Sequence, residues 1–426
     1  MKSLSRALIG QPLPSLGGLF LSVFTFLAFP ADASSSPPCP DALIVDAGST
    51  GSRVHHYQRN AEGWHERSVF EEEPGLSSGT EEEAAGRLLR LIQEGVATLP
   101  ESTRSCGQRA VLVFGTGGMR ALPPAAAERR YQRLTELALQ AQISLKARTL
   151  SGEEEAAYGW VAVAALLGEL DTPTAHNLGA LDLGGASFQI AYATRRGDES
   201  LRVGPSNGKR FRLRSLSPVG SPIKQREIDL FLSVYSLPWG QETVPSSMQR
   251  GACSTPNEGG GQLERCSPLL QRHFWGEAAQ DQLPKRRYYA TGLFAYHHRE
   301  LQIPERVDQR RRRKASAAFC TEPLARRSAR RGTPAQYLTR ACLTGGLIDA
   351  LLHPLFPDTT NLSTQLSIHA QRVSWTYGVL SCQGRCVLES SPRLSDSDPE
   401  LAPHAHPQTS PSRSTTKIER APLLGQ

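Results

Sequence analysis

"DALIVDAGSTGSRVHHY" occupies residues 41 to 57, and its reading decides the fold. A short apolar run ends on Asp46, a loop of Gly48, Ser49, Thr50, Gly51 and Ser52 follows, and Arg53 opens a second apolar and aromatic stretch. Glycine lets a backbone approach a ligand closely and accept positive φ, which turns successive N–H groups toward an anion. Ser49, Thr50 and Ser52 add hydroxyl donors and Arg53 adds charge, so the residue types suit phosphate. Asp46 has the wrong sign for phosphate. It suits a divalent ion, contacted through water, that phosphate also touches. One such loop by itself is equally compatible with an ordinary turn.

A second copy shifts that balance. "GALDLGGASFQIAY", residues 179 to 192, repeats the order of apolar strand, carboxylate, glycine-rich turn and apolar strand, with Asp182, Gly184, Gly185, Ala186, Ser187 and Gln189. Two such units predict two related halves that grip adjacent phosphates from opposite sides, with one metal between Asp46 and Asp182. "FGTGGMRAL", residues 114 to 122, adds a third glycine-rich turn with Thr116, Gly117 and Arg120. Helical spacing over residues 81 to 99 and 124 to 142, interleaved with the strand-like runs, gives an α/β chain.

"LSGEEEAAYGWVAVAALLG", residues 150 to 168, opens a helix with three carboxylates. Successive helical residues are about 100° apart, so the three cannot share one task. With Ser151 as N-cap, Glu154 completes a capping box and Glu153 suits the helix dipole. Glu155 falls where an apolar residue would pack against Leu150, so its carboxylate has no local structural reward. A catalytic role is more credible there.

The 426 residues, 39% of them hydrophobic, can bury one large core or two and exclude a wholly disordered chain. Only seven of the 48 basic residues are lysine, and the net charge of +7 suits anionic substrates or surfaces. Lys2, Arg6, the apolar run from Leu16 to Phe29 and Ala31-Asp32-Ala33 read as a signal peptide over residues 1–33. The alternative is a retained anchor, although the run is shorter than the ~20 residues a span needs. No membrane span is expected after cleavage, and the location expected is secreted or periplasmic.

All eight cysteines follow that site. Nearest-neighbour pairing would join Cys253 to Cys266, Cys320 to Cys342, Cys382 to Cys386 and Cys39 to Cys106. Their spacing gives no zinc site. The arginine-crowded segment 306–331 reads as a solvated helix or loop, with an anionic-surface contact as the alternative. The pairs His55-His56 and His297-His298 read as surface or packing residues. Residues 389–426 read as a disordered tail.

In this order, "DAGSTGSR", "GTGGMR", "SGEEEAAYGW", "LDLGGASFQ" and "SWTYGVL" (374 to 380) resemble the five conserved regions of the ecto-nucleoside triphosphate diphosphohydrolases, or apyrases. The resemblance implies the two-lobed actin-like fold. Lobe I would take residues 40–150 with a return at about 373–388, and lobe II residues 151–372. It implies phosphate contacts from Gly48, Ser49, Thr50, Ser52, Arg53, Thr116, Gly117, Arg120, Gly184, Gly185, Ala186 and Ser187. It makes Glu155 the base that activates water with Gln189 beside it, and sets Asp46 and Asp182 around Mg²⁺ or Ca²⁺. Trp375 matches the last region, and Tyr296 and Tyr337 would hold the nucleobase.

A nucleotide substrate, no nucleic acid and a monomer are expected. Two departures stand out: Ala156 follows the base where the family has Gly, and Phe188 replaces a usual Thr. An exopolyphosphatase of the same fold and a non-catalytic nucleotide-binding module are the rival readings.

Overall fold

The central strand of the first half, β1 (Asp41–Ala47), is buried along nearly its whole length, as a strand covered on both faces must be. The computed structural model describes residues 39–61, 63–101, 111–185, 187–194, 201–205, 211–219, 282–321, 335–382 and 386–390, with Ser267, Pro268, Leu270, Gln271 and Trp275. With β2 (Ser52–Asn60), β3 (Gly63–Glu72), β4 (Val111–Gly115) and β5 (Leu145–Thr149), β1 forms a five-stranded sheet in the order β3-β2-β1-β4-β5. β1, β2 and β3 are antiparallel, whereas β4 and β5 run parallel to β1.

Helix α1 (Glu81–Ala97) starts at a capping box between Thr80 and Glu83 and buries Ala84, Ala85, Leu88, Leu91 and Ile92. With α3 (Pro124–Gln140), which follows the short α2 (Gly117–Ala121), it packs its apolar residues against those of β1 and β4.

The second sheet has eight strands. They are β6 (Leu178–Leu183), β7 (Phe188–Ala193), β8 (Leu201–Pro205), β9 (Phe211–Val219), β10 (Arg287–Gly292), β11 (Arg306–Asp308), β12 (Asn361–Thr364) and, beyond the hairpin of β13 (Ser367–Ile368) and β14 (Gln371–Arg372), β15 (Cys386–Ser390). Their order is β11-β12-β10-β6-β7-β9-β8-β15. Its middle, β9-β7-β6-β10-β12, repeats the first sheet: β6, β7 and β9 are antiparallel, and β10 and β12 run parallel to β6. The duplicated hairpin of the sequence is thus the visible part of a duplicated sheet, and the fold is two-lobed α/β.

Helix α4 (Gly152–Leu166) lies against the second sheet, with Trp160, Val161 and Val163 in a shared cluster with Leu178 and Ala191. Helices α5 (Leu293–Leu301) and α7 (Ala335–Leu352) contribute Phe294, Leu347, Ile348 and Leu351 to a cluster with Leu181, Phe188 and Tyr288. Helix α6 (Gln309–Thr321) lies between them in the chain.

Helix α8 (Trp375–Cys382) returns to the first sheet, with Trp375, Val379 and Leu380 against Ile44, Tyr57 and Phe114. It also meets α4 closely: a Cβ on Gly378 would lie 1.9 Å from the Tyr158 carbonyl oxygen. The two helices therefore join the lobes through a contact that admits no side chain.

Two expectations change. The return at 373–388 does not stay with lobe I: α8 lies on the first sheet, but β15 pairs with β8 at the edge of the second, whose open backbone groups it satisfies. The "RRRRK" run is a helix only partly solvated, because Arg312 is 1% exposed and bonded to Asp349. All four paired histidines are buried packing residues, with His56 on Asp41 and His297 on Ser316.

Cys39, Cys320 and Cys382 are disulfide-bonded, and no described cysteine is free. Cys106, Cys253, Cys266 and residues 391–426 lie outside the described residues, as do the side chains of Cys342 and Cys386. Among the described residues, no helix is long and apolar enough to cross a membrane.

Candidate active site

Each sheet offers its polar groups at the carboxyl ends of parallel strands, where open α/β sheets bind ligands. In the first, Ala47 pairs with Gly115 and Gly115 with Thr149. Asp46, Thr116 and the start of α4 therefore emerge side by side. In the second, Asp182 pairs with Thr291 of β10, whose hydroxyl donates to Asp182 Oδ1 at 2.8 Å and to the Leu181 carbonyl at 3.1 Å.

The two hairpins correspond residue for residue. Asp46 lies opposite Arg53 and Asp182 opposite Gln189, and the loops 48–51 and 184–187 join the same strand positions. The second loop is closed by the Gly184 N–H on the Ser187 carbonyl at 3.0 Å.

The loops also meet one another. A Cβ on Gly185 would lie 2.6 Å from Thr50 Cγ2 and 2.8 Å from Ser49 Oγ, so the bare glycine backbone sits directly against the two hydroxyl residues of the first loop. On its other side, the first loop rests on Gly118 of α2, where a Cβ would stand 2.7 Å from Ser49 Cα, and on Gly75, where it would stand 2.1 Å from the Gly48 carbonyl. Thr116 is buried and its N–H reaches the Ala47 carbonyl at 3.3 Å. Gly117 is buried as the first residue of α2. Ser52 and Ser187 are buried as well. Ala186 is outside the described residues.

Glu155 is 6% exposed in the first turn of α4. The capping box anticipated from sequence is present: Ser151 Oγ accepts from the Glu154 N–H at 3.1 Å, and Glu154 accepts from the Ser151 N–H at 2.9 Å. That fixes Glu154 at the surface, where Arg148 also donates to it at 2.9 Å, and turns Glu155 inward. Arg120 Nη1 donates to Glu155 Oε2 at 2.8 Å and to the Leu150 carbonyl at 3.1 Å.

Three buried carboxylates thus share one region. Burial pushes Asp46 up to about 7, opposed by Arg53 and reinforced by Glu155 and Asp182. Burial also raises Glu155, opposed by Arg120 and reinforced by Asp182. It raises Asp182 in turn, opposed by the Thr291 hydroxyl and by Arg53. Arg53 pairs with Glu71 and lies 3.9 Å from Asp46 Oδ2.

Such a cluster calls for a compensating cation. Asp46 Oδ1 is buried with no hydrogen-bond partner among the described residues, which fits an oxygen reserved for a metal's water shell. Among the described residues, no three His, Cys, Asp or Glu side chains converge to hold a metal directly. The orphaned Asp46 oxygen and the neighbouring Asp182 carboxylate fit a divalent cation held through water.

Tyr296 of α5 is half-buried, under the guanidinium of Arg299 at 5.0 Å, and near enough to Arg53 to bear on its charge. Tyr337 falls in the first turn of α7, and its side chain lies outside the described residues. Sequence reasoning missed Thr291 and Gly292. Gly292 has φ +66 and abuts Asp182, so that a Cβ there would lie 2.8 Å from Asp182 Oδ1. The signal was present: "ATG" ends β10 before a helix, much as "GTG" leads from the last residue of β4 into α2.

Two sheets whose middle strands share one order, meeting through paired Asp and glycine hairpins, give the two-lobed actin-like fold. A nucleoside triphosphate hydrolase of Neospora caninum aligns over 80% of this chain and 92% of its own, with TM-score 0.52 and 14% identity. The Ppx/GppA family member of Aquifex aeolicus aligns over 81% and 98%, with TM-score 0.50 and 14% identity. At such identities the likeness is one of fold.

Residues 41–213 match the model of the GDA1/CD39 (nucleoside phosphatase) family. A probable apyrase 2 of Oryza sativa subsp. japonica is 36% identical over 181 residues, 39% of this chain and 38% of that protein. A guanosine-diphosphatase of Schizosaccharomyces pombe is 32% identical over 45% of this chain and 38% of that protein. The chain spans well under half the length of these relatives.

Proposed function

We propose that the protein hydrolyses the terminal phosphates of nucleoside tri- and diphosphates to the monophosphate, with Mg²⁺ or Ca²⁺ and a water activated by Glu155. The observation that carries this reading is the contact of Gly185 with Ser49 and Thr50, which brings the phosphate-suited loop of each lobe to one place. A phosphate chain lying there meets backbone N–H groups and hydroxyls from both sides, and these hold charge that spreads over the transferring group. Glu155, buried and held by Arg120, supplies a carboxylate to take the proton of an in-line water, with Gln189 beside Asp182 to orient it. Asp46 and Asp182 would hold the water shell of a divalent ion, which would supply charge neutralisation at the phosphate oxygens.

Tyr296 is the proposed contact for the nucleobase, because it presents a half-buried ring on the lobe II side of Arg53. The match of 41–213 to a nucleoside phosphatase family and the apyrase relatives support a nucleotide rather than a polyphosphate substrate. The apolar N-terminal run, read as a signal peptide, and the disulfide-bonded cysteines support action outside the cytoplasm, as a secreted or periplasmic monomer.

Phosphate release from ATP, ADP, AMP and long-chain polyphosphate, each with and without Mg²⁺ or Ca²⁺, tests the proposal. Metal-dependent release from ATP and ADP but not AMP is expected. Faster release from polyphosphate than from either nucleotide would overturn it.

A further inference from the structure

We propose that Arg120 is a positioning residue for Glu155 and not a ligand of the substrate phosphate. The inference rests on Glu155 being the base, and departs from the phosphate-binding role that the sequence resemblance gives this arginine. Arg120 lies on α2, one turn past the third glycine-rich loop. Its Nη1 divides itself between the Glu155 carboxylate at 2.8 Å and the Leu150 carbonyl at 3.1 Å. Leu150 immediately precedes Ser151, the N-cap of α4. One guanidinium thus ties the helix entry and the carboxylate four residues further on to the same planar group. A planar fork of donors restricts its acceptor far more than a flexible ammonium does.

Both side chains are nearly closed off, at 9% exposed for Arg120 and 7% for Glu155, so the pair is little screened by solvent. The charged groups that bear on Glu155 are Arg120 from α2, Asp46 from β1 and Asp182 from β6. Two of the three are repulsive. Arg120 is the group whose loss would leave the buried carboxylate facing them uncompensated. Arg53, which also bears on this carboxylate cluster, is already engaged by Asp46 and Glu71. A phosphate drawn to Arg120 would compete with Glu155 for the same Nη1, and would release the carboxylate when its orientation matters.

The two roles separate in turnover against binding. Arg120→Gln should lower kcat for ADP by about 10²-fold, the lower range for losing one positioned base, while the Kd for the non-hydrolysable analogue AMP-PNP with Mg²⁺ stays within about threefold of wild type. Arg120→Lys should recover part of kcat, since it keeps the charge without the fork. It also supplies the reading if Arg120→Gln fails to fold by circular dichroism. In a Glu155→Gln background, Arg120→Gln should cost nothing further, because a residue that acts through another has no effect once that other is gone.

A weakened Kd for AMP-PNP with kcat retained, or a further loss in the Glu155→Gln background, overturns the positioning role and leaves the base assignment standing. Wild-type turnover by Glu155→Gln alone removes the base assignment, and this inference with it.

Discussion

Gly185→Ala tests whether the contact between the two loops matters to catalysis. The added methyl would stand 2.6 Å from Thr50 Cγ2, 2.8 Å from Ser49 Oγ and 3.3 Å from Thr50 Oγ1, against ordinary contacts of 3.4–4 Å. The loops must therefore part by about 1 Å, or the Ser49 and Thr50 side chains must rotate, and either change moves the groups meant to hold phosphate. A misplacement of about 1 Å in a positioned reaction can cost about 10²-fold, so kcat/KM for ADP should fall by that order.

Gly185 does not have positive φ, and the atoms it meets are side chains of another loop, so thermal stability should change little. Gly86→Ala is the control. It lies in α1 with only the end of the Arg90 side chain, at 3.9 Å, within 4 Å of its missing Cβ. Alanine there should add about 0.5 to 1 kcal/mol of stability and leave turnover unchanged. The assay is malachite-green phosphate release beside a melting curve for each variant. Full activity in Gly185→Ala, with a normal melt, would show that the loops touch without clamping a substrate.

Two further variants separate structure from chemistry. Glu154→Ala should lower stability by about 0.5 to 2 kcal/mol, as loss of a helix cap does, with kcat nearly unchanged, read by denaturant melts and phosphate release. Asp349→Asn should destabilise by about 3 to 5 kcal/mol, because it leaves the buried Arg312 without its counter-charge. Burial works to raise the Asp349 carboxyl, but Arg312, Ser267 and Arg313 outweigh it and hold it below its usual value. Its stabilisation is therefore full above the unfolded carboxylate pKa and is lost as pH falls through the folded value. The same denaturant series below about pH 4 should show the wild type converging on the variant.

What the sequence revealed was what local chemistry encodes. The two Asp–glycine hairpins, the Ser151 cap and the division of labour between Glu154 and Glu155 each depend on residues a few positions apart. Groups that depend on distant partners were not legible. Arg312 looked like one more solvated arginine because Asp349, which buries it, comes from another helix. Gly118 read as part of a glycine-rich turn and Gly75 drew no reading, yet both become walls of the first loop once the chain folds. Thr291 carried a weak repeat signal that gains meaning from the parallel pairing of β6 and β10. The destination of β15 was hidden for the same reason, since an edge strand is chosen by the sheet that has an edge to offer.

The central claim is that a buried carboxylate at Glu155 activates water beside a phosphate held between two lobes, and Glu155→Gln tests it most directly. Steady-state phosphate release from ADP with Mg²⁺ should fall by about 10²- to 10⁴-fold, while AMP-PNP still binds with near wild-type affinity and the melting temperature does not fall. Wild-type turnover in a folded Glu155→Gln protein, or a loss of turnover matched by an equal loss of AMP-PNP binding, would contradict the account.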